Sequence, residues 1–402
     1  MSKQSVSQSS SHAPVADIEA KPAPALNIPA SNTTVRVSII NTTTDIVCPS
    51  NGFINPVLKG GDYLSLPTFA FHVVHPSGKE LMFDLGGRKD YWNWSPATFE
   101  SVQKLIPGLN VEKGIDEILK EGGVSLQSIN SIVWSHWHWD HTGDPSLFPK
   151  HAELVVGPGF KKNFMPGYPS QPRAVMLESD FEGRNVREIS FSSNFKLGRY
   201  EAHDFYGDGS FYLLNVPGHA IGHISALART TPDTFVFMGG DVCHFGGSFR
   251  PSEFSPMPAE IPAGVPLDRK RFRAPCPCAL FTECHPNQEK ARTEPYYKVS
   301  AAEGSWYIDP ETAQESINKL EDFDADPNVL VCIAHDEGLL EVVDWFPNGS
   351  LNDWKKKGWK EQSQWGFLNA LPVSGKPPGP WITPGLMKDG KRMKEWEKFV
   401  PS

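Results

Sequence analysis

Ser135-His136-Trp137-His138-Trp139-Asp140-His141-Thr142-Gly143-Asp144 places four metal-capable side chains within six positions, in the pattern H-x-H-x-D-H. It directly follows Ser131-Ile132-Val133-Trp134, a β-branched and aromatic run that reads as a buried strand. His136 and His138 are two apart, so an extended backbone points both imidazoles to one side. Asp140 and His141 fall where the strand turns over, and adjacent residues there face a second point in space. One short segment can therefore supply ligands to two neighbouring metals. Any fold open to this chain has to bring a strand end to a polar, histidine-rich centre.

Four more strand ends carry chemistry of the same kind. Phe211–Val216 reads as a strand running into Pro217-Gly218-His219-Ala220-Ile221-Gly222-His223, and Thr234–Met238 as one ending at Gly239-Gly240-Asp241. Val329–Ala334 ends at His335, and Leu81–Asp84 runs into Leu85-Gly86. This ordered set resembles the metallo-β-lactamase superfamily, most of all its lactonase branch, the N-acyl homoserine lactonase-like members. The resemblance spans about residues 35–345. It implies an α+β fold, an αββα sandwich of two mixed β-sheets flanked by helices.

Carried over residue by residue, the family pattern assigns His136, His138 and His219 to one metal ion, and Asp140, His141 and His335 to a second. Asp241 bridges the two, and Asp84 holds a ligand histidine by its other ring nitrogen. Histidine nitrogens and carboxylates suit two divalent ions, zinc first, with iron or manganese able to use the same donors. His223 has a family counterpart that is not a ligand, and a structural hydrogen bond is its expected job. His244 lies three residues after Asp241, at an offset where lactonase-like members place a residue over the metals; it is expected to contact the substrate carbonyl. His72, His75, His151, His203 and His285 match no part of the pattern.

Composition narrows the partners. A net charge of -9 argues against a nucleic-acid surface, which needs clustered Lys and Arg. No apolar run approaches membrane-spanning length, and the N-terminus lacks a basic start followed by an apolar stretch, so neither a membrane partner nor a secretory signal is expected. Six cysteines in 402 residues are too sparse for a disulfide scaffold. Cys276-Pro277-Cys278 with Cys284-His285 lacks zinc-knuckle spacing and reads as reduced thiols in a loop. The expected compartment is the cytosol.

Residues 1–33, rich in Ser, Ala and Pro with no aromatic residue, read as a disordered tail. The hydrolase-like domain spans 34–345, with an irregular, Pro- and Gly-rich insertion at about 245–305 placed to cover the cleft. Residues 346–402 read as an appendage on the same domain, and self-association into a homodimer is one role open to it. Strands are expected at Thr34–Ile40, Tyr63–Pro67, Phe69–Val74 and Glu153–Val156. Helices are expected over Glu112–Glu121, stopped by Gly122-Gly123, and after the Asp309-Pro310-Glu311 start. Trp92 or Trp94, with Trp137 and Trp139, are candidates for the walls of a substrate pocket.

The resemblance implies a hydrolase that opens a small cyclic ester (a lactone): a hydroxide generated at the two metals attacks the carbonyl while Asp140 helps the leaving group depart. The same machinery opens a cyclic amide or carbamate, and fungal relatives are associated with lactam-type detoxification. An oxidoreductase resembling the sulfur dioxygenases, with similar ligands around one iron, is the alternative from another class.

Overall fold

The computed structural model describes residues 16–394. Among these, a nine-stranded mixed sheet runs in the order Lys391–Lys394, Leu386–Lys388, Gly108–Val111, Arg36–Pro49, Tyr63–Val74, Glu80–Phe83, Ile129–Val133, Glu153–Val156, Val186–Glu188. A six-stranded sheet runs Val329–Cys332, Thr234–Met238, Ile224–Thr231, Phe211–Asn215, Tyr200–Asp204, Lys196–Leu197. The inner faces meet in one buried cluster: Val37, Phe71, Phe83 and Val133 of the first sheet pack with Leu213, Ala226, Met238 and Leu330 of the second. Near-continuous apolar runs such as Thr234–Met238 are what a strand covered on both faces requires. With the helices outside, this is the α+β sandwich of the metallo-β-lactamase fold.

Several expected boundaries shift for local reasons. The first strand runs to Pro49, past a register shift between Asn41 and Thr44 at which Thr43 adopts φ 55°. Tyr63–Val74 is one strand, not two. Pro67 is tolerated because the Glu80–Phe83 strand pairs only with 71–74, so Pro67 has a ladder neighbour on one side alone. The helix expected from Glu112 begins at Ile115, because the Lys113 amide donates to Thr43 Oγ1 (2.8 Å) and Gly114 donates to Glu117 Oε2 (2.9 Å). Helix Pro310–Ala325 starts where expected: Asp309 accepts from the Thr312 amide at 3.1 Å, and Ala313, Ile317 and Leu320 are buried.

The described part of the N-terminal segment departs from a disordered tail. Residues 16–33 contain no helix or strand, yet Leu26 is buried and its carbonyl accepts from the Gly198 amide at 2.6 Å. The Pro29 carbonyl accepts from Arg229 Nη2 at 2.5 Å, and Ser31 Oγ donates to the Asp208 carbonyl at 2.6 Å. Backbone hydrogen bonds, rather than apolar periodicity, tie this segment down. The same expectation for residues 1–15 lies outside the described residues.

Segment 245–305 holds only short pieces, including helix Ala279–Thr282 and a Glu260–Ile261/Cys276–Pro277 strand pair. Its Met257, Phe272, Phe281 and Tyr296 join the same core cluster as Phe237 and Leu320. In the C-terminal stretch Trp354, Trp359, Trp365 and Phe367 are buried, and Leu386–Lys388 and Lys391–Lys394 extend the first sheet beyond Gly108–Val111. Among the described residues, no helix is long and apolar enough to cross a membrane.

Candidate metal centre

Strand ends from both sheets converge on one buried point. Ile129–Val133 delivers the His136–His141 segment, and the one-turn helix Trp139–Thr142 carries Asp140 and His141 to its far side. Thr234–Met238 delivers Asp241 through Gly240, whose φ is +51°. A Cβ there would lie 2.8 Å from Ser135 Cβ and 3.1 Å from His223 Nε2, so only glycine lets this turn close on the cluster.

Two donor groups result: His136, His138, His219 and Asp241, and Asp140, His141, Asp241 and His335, with the donor atoms of each group within 4.8 Å of one another. Asp241 divides its oxygens between them. Oδ2 lies 3.5 Å from His136 Nε2 and 3.4 Å from His219 Nε2; Oδ1 lies 3.1 Å from both His141 Nε2 and His335 Nε2. Asp140 Oδ2 is 3.5 Å from His141 Nε2 and 3.6 Å from His335 Nε2. His219 Nε2 faces His138 Nδ1 at 2.9 Å and His136 Nε2 at 3.2 Å. The structure thus brings all seven expected residues together.

The outward nitrogens are held in turn. His141 Nδ1 lies 2.9 Å from Asp84 Oδ2, His136 Nδ1 lies 3.0 Å from Ser135 Oγ, and His335 Nδ1 lies 2.9 Å from the Pro67 carbonyl. Asp84 also accepts from the Ser135 amide (2.6 Å) and hydroxyl (2.7 Å). It does so from a left-handed backbone, φ 60°, a strained conformation for a non-glycine residue that the surrounding contacts hold. These partners turn the inner nitrogens toward the centre.

His223 has the structural role expected of it. Its Nδ1 donates to the Val216 carbonyl and its Nε2 accepts from the Asp241 amide, both at 2.9 Å, so the ring is fixed as one neutral tautomer. Burial pushes its pKa down to about 3. His244 Nε2 lies 3.0 Å from Asp241 Oδ2 and its Nδ1 3.0 Å from the Tyr307 hydroxyl. Among the unmatched histidines, His72 bonds Glu80, His75 bonds Asp208, and both ring nitrogens of His285 bond the backbone of its own segment.

The electrostatics are those of a cation site. Burial and the neighbouring imidazoles push His136 and His138 well below the usual histidine range. Burial alone would depress His141 too, but Asp241, Asp140 and Asp84 hold it well above that range. Burial opposes the Asp241 charge, yet the imidazoles of His141, His244 and His335 keep its carboxyl well below the usual range. His141 Nε2 and Asp241 Oδ1 are buried without a hydrogen-bond partner. Lone pairs facing one another in a dry site carry a large desolvation cost unless a cation lies between them. The donor set therefore fits two divalent cations.

A narrow cavity lies against Asp140, Asp241, His244 and His335, walled by Ile46, Phe53, Leu66 and Trp306. A second, larger cavity shares His138, Trp139 and Trp306 with it and is lined further by Trp94, Trp137 and Met176. Trp92 lines neither cavity; Lys388 Nζ sits over its ring at 4.1 Å. Nor does the 245–305 segment contribute lining residues to either; Trp306, just beyond it, does. Sequence reading missed Ser135, Trp306 and Tyr307. Ser135 was open to discovery from its place beside the first histidine, whereas Trp306 and Tyr307 sit in an irregular stretch with no pattern to flag them.

No family model matches the chain. It is 42% identical over 355 residues to Gamma-lactamase FDB1 of Fusarium pseudograminearum (strain CS3096), across 86% of this chain and 84% of that protein. Metallo-hydrolase mfmC of Annulohypoxylon moriforme is 40% identical over 355 residues, across 87% and 90% respectively. A solved N-acyl homoserine lactone hydrolase, with N-hexanoyl-L-homoserine at its catalytic metal centre, superposes with a TM-score of 0.52 at 18% identity, over 79% of this chain and 99% of that one. That last likeness is one of fold.

Proposed function

The chain belongs to the metallo-β-lactamase superfamily, with fungal Gamma-lactamase FDB1 and Metallo-hydrolase mfmC among its relatives, and from that premise we propose that it is a dinuclear metal-dependent hydrolase opening a small cyclic ester. The observation that carries this reading is the Asp241 carboxylate set between two histidine groups, with the other donors turned inward around it. His136, His138 and His219 would hold one ion and Asp140, His141 and His335 the other, and zinc suits this nitrogen-and-oxygen set. When bound, such a pair supplies a water activated near neutral pH and polarises the carbonyl oxygen.

The chain's own residues do the rest. Asp140, beside the second group and on the wall of the inner cavity, is placed to take a proton from the attacking water and pass it to the leaving oxygen or nitrogen. His244 lines the same cavity with its Nε2 3.0 Å from Asp241 Oδ2, which puts its imidazole beside the carbonyl of a ring held there. The Tyr307 hydroxyl, donating to Nδ1, keeps the proton on Nε2. The apolar walls exclude water and suit a moderately apolar ring.

Opening of a cyclic amide is the second reading, favoured by the γ-lactamase among the relatives, and it carries with it a role in detoxification. All six cysteines are free, which supports a reducing compartment such as the cytosol. The test is a panel of matched lactones and lactams, followed by acid release for the esters and by the mass of one added water for the amides. Turnover of either class, lost on chelation and restored by metal, is expected. Thiol-dependent oxygen consumption with no ring opening would contradict the reading.

A further inference from the structure

The larger cavity has two ionisable groups on its wall, Arg88 and Asp180, that the hydrolytic chemistry does not use. Arg88 is 9% exposed and lines it together with the apolar side chains of Trp94, Trp137, Trp139 and Met176. Its guanidinium is held on the Nε/Nη2 side: Nε donates to Asp90 Oδ1 at 2.7 Å and Nη2 to Asp90 Oδ2 at 3.2 Å, and Nη2 forms an ion pair with Asp144 Oδ2 at 2.9 Å. Among the described residues Nη1 has no hydrogen-bond partner, and it is not one of the side-chain nitrogens sealed inside the protein. A guanidinium fixed by two carboxylates, with a free N–H edge in a largely apolar cavity that reaches His138, is preorganised for a ligand oxygen.

We propose that Arg88 is a specificity-determining residue, donating from Nη1 to an oxygen acceptor carried by the substrate at the end remote from the scissile bond. This rests on the ring-opening reading above. Asp90 and Asp144 already neutralise the guanidinium, so the acceptor it fits is neutral, a carbonyl, ether or hydroxyl oxygen, rather than a carboxylate. The substrate class is then a neutral cyclic ester or amide with a flat apolar body, which lies between the tryptophans, and an oxygen at its far end.

The test uses two non-hydrolysable cyclic ketones with the same flat side group, one ending in an acetyl group and the other in an isopropyl group of the same shape. Affinity for the full-length protein is read by tryptophan fluorescence, and independently the turnover of the matching lactones. The acetyl compound is expected to bind the wild type about tenfold tighter, as one hydrogen bond to a charged donor supports. Arg88→Gln removes this preference and Arg88→Lys restores part of it. A merely structural role for Arg88 weakens both ligands alike and leaves their ratio intact. Equal binding by the wild type, or a ratio unchanged in Arg88→Gln, overturns the proposal. Selective binding without turnover of either lactone leaves Arg88 as the anchor and removes the hydrolase reading instead.

Discussion

Two regions of this molecule bury charge, and they do so in opposite ways. Behind the second sheet, Arg250 and Asp324 form a bidentate pair at 3.0 and 2.6 Å, and Arg250 Nη1 also reaches the Gln364 carbonyl at 3.2 Å. Beside them Lys360 Nζ donates to the carbonyls of Asp324, Asp326 and Val329 at 2.5, 3.1 and 2.7 Å. Charge there is answered within the protein. At the strand-end centre, imidazole nitrogens face one another at 2.9 and 3.2 Å, and Asp241 Oδ1 and His141 Nε2 have no hydrogen-bond partner. The first arrangement is complete as it stands, and the second is complementary to cations. Burial alone therefore does not mark a functional site; donors turned toward a common point do.

The comparison breaks most visibly if the central carboxylate is altered. Asp241→Asn removes the charge shared by both groups, and ring-opening activity is expected to fall by at least about 10²-fold, with loss of bound metal by elemental analysis. Next in size, Arg250→Met strands the buried Asp324 carboxylate and costs about 3–5 kcal/mol in denaturant unfolding, while metal content per folded chain stays unchanged. If Arg250→Met instead depleted the metal, the two regions would not be separable. Asp84→Asn keeps an acceptor for the Ser135 amide but weakens the hold on His141, so metal affinity in a competitive chelator titration should fall about 10–100-fold.

The smallest effect sharpens the contrast with a third group. Burial pushes the Asp180 carboxyl, on the wall of the larger cavity, up to about 7 from its ordinary 3.8. The folded state then holds a proton that the unfolded chain releases, so stability is lost as pH rises from about 4 to about 7. Asp180→Asn should flatten that slope, by a few degrees of melting temperature between acid and neutral pH. A slope identical to wild type would show that Asp180 does not titrate in this window.

The candidate donors were legible because they follow strands: the His136–His141 segment comes just after Ile129–Val133, and His219, Asp241 and His335 come just after their own strands, although His136 itself lies in a bend rather than on an extended backbone. The same logic found strands Glu153–Val156 and Thr234–Met238 with their boundaries intact, since short apolar runs between turn residues have few other solutions. What escaped depends on distant partners. Tyr63–Val74 runs through a proline because its neighbour on one side has ended, and residues 16–33 are held by their carbonyls accepting from the Gly198 amide and the Arg229 guanidinium. Trp306, which lines both cavities, and Tyr307, which contacts His244, come from an irregular segment whose position only the packed chain decides.

The central claim is that Asp241 joins two metal sites within one hydrolytic centre. The most direct measurement is the metal content of the purified, fully active protein by elemental analysis. About two divalent ions per chain are predicted, with both lost together in Asp241→Asn. A single iron per chain, retained in that variant, would contradict the account.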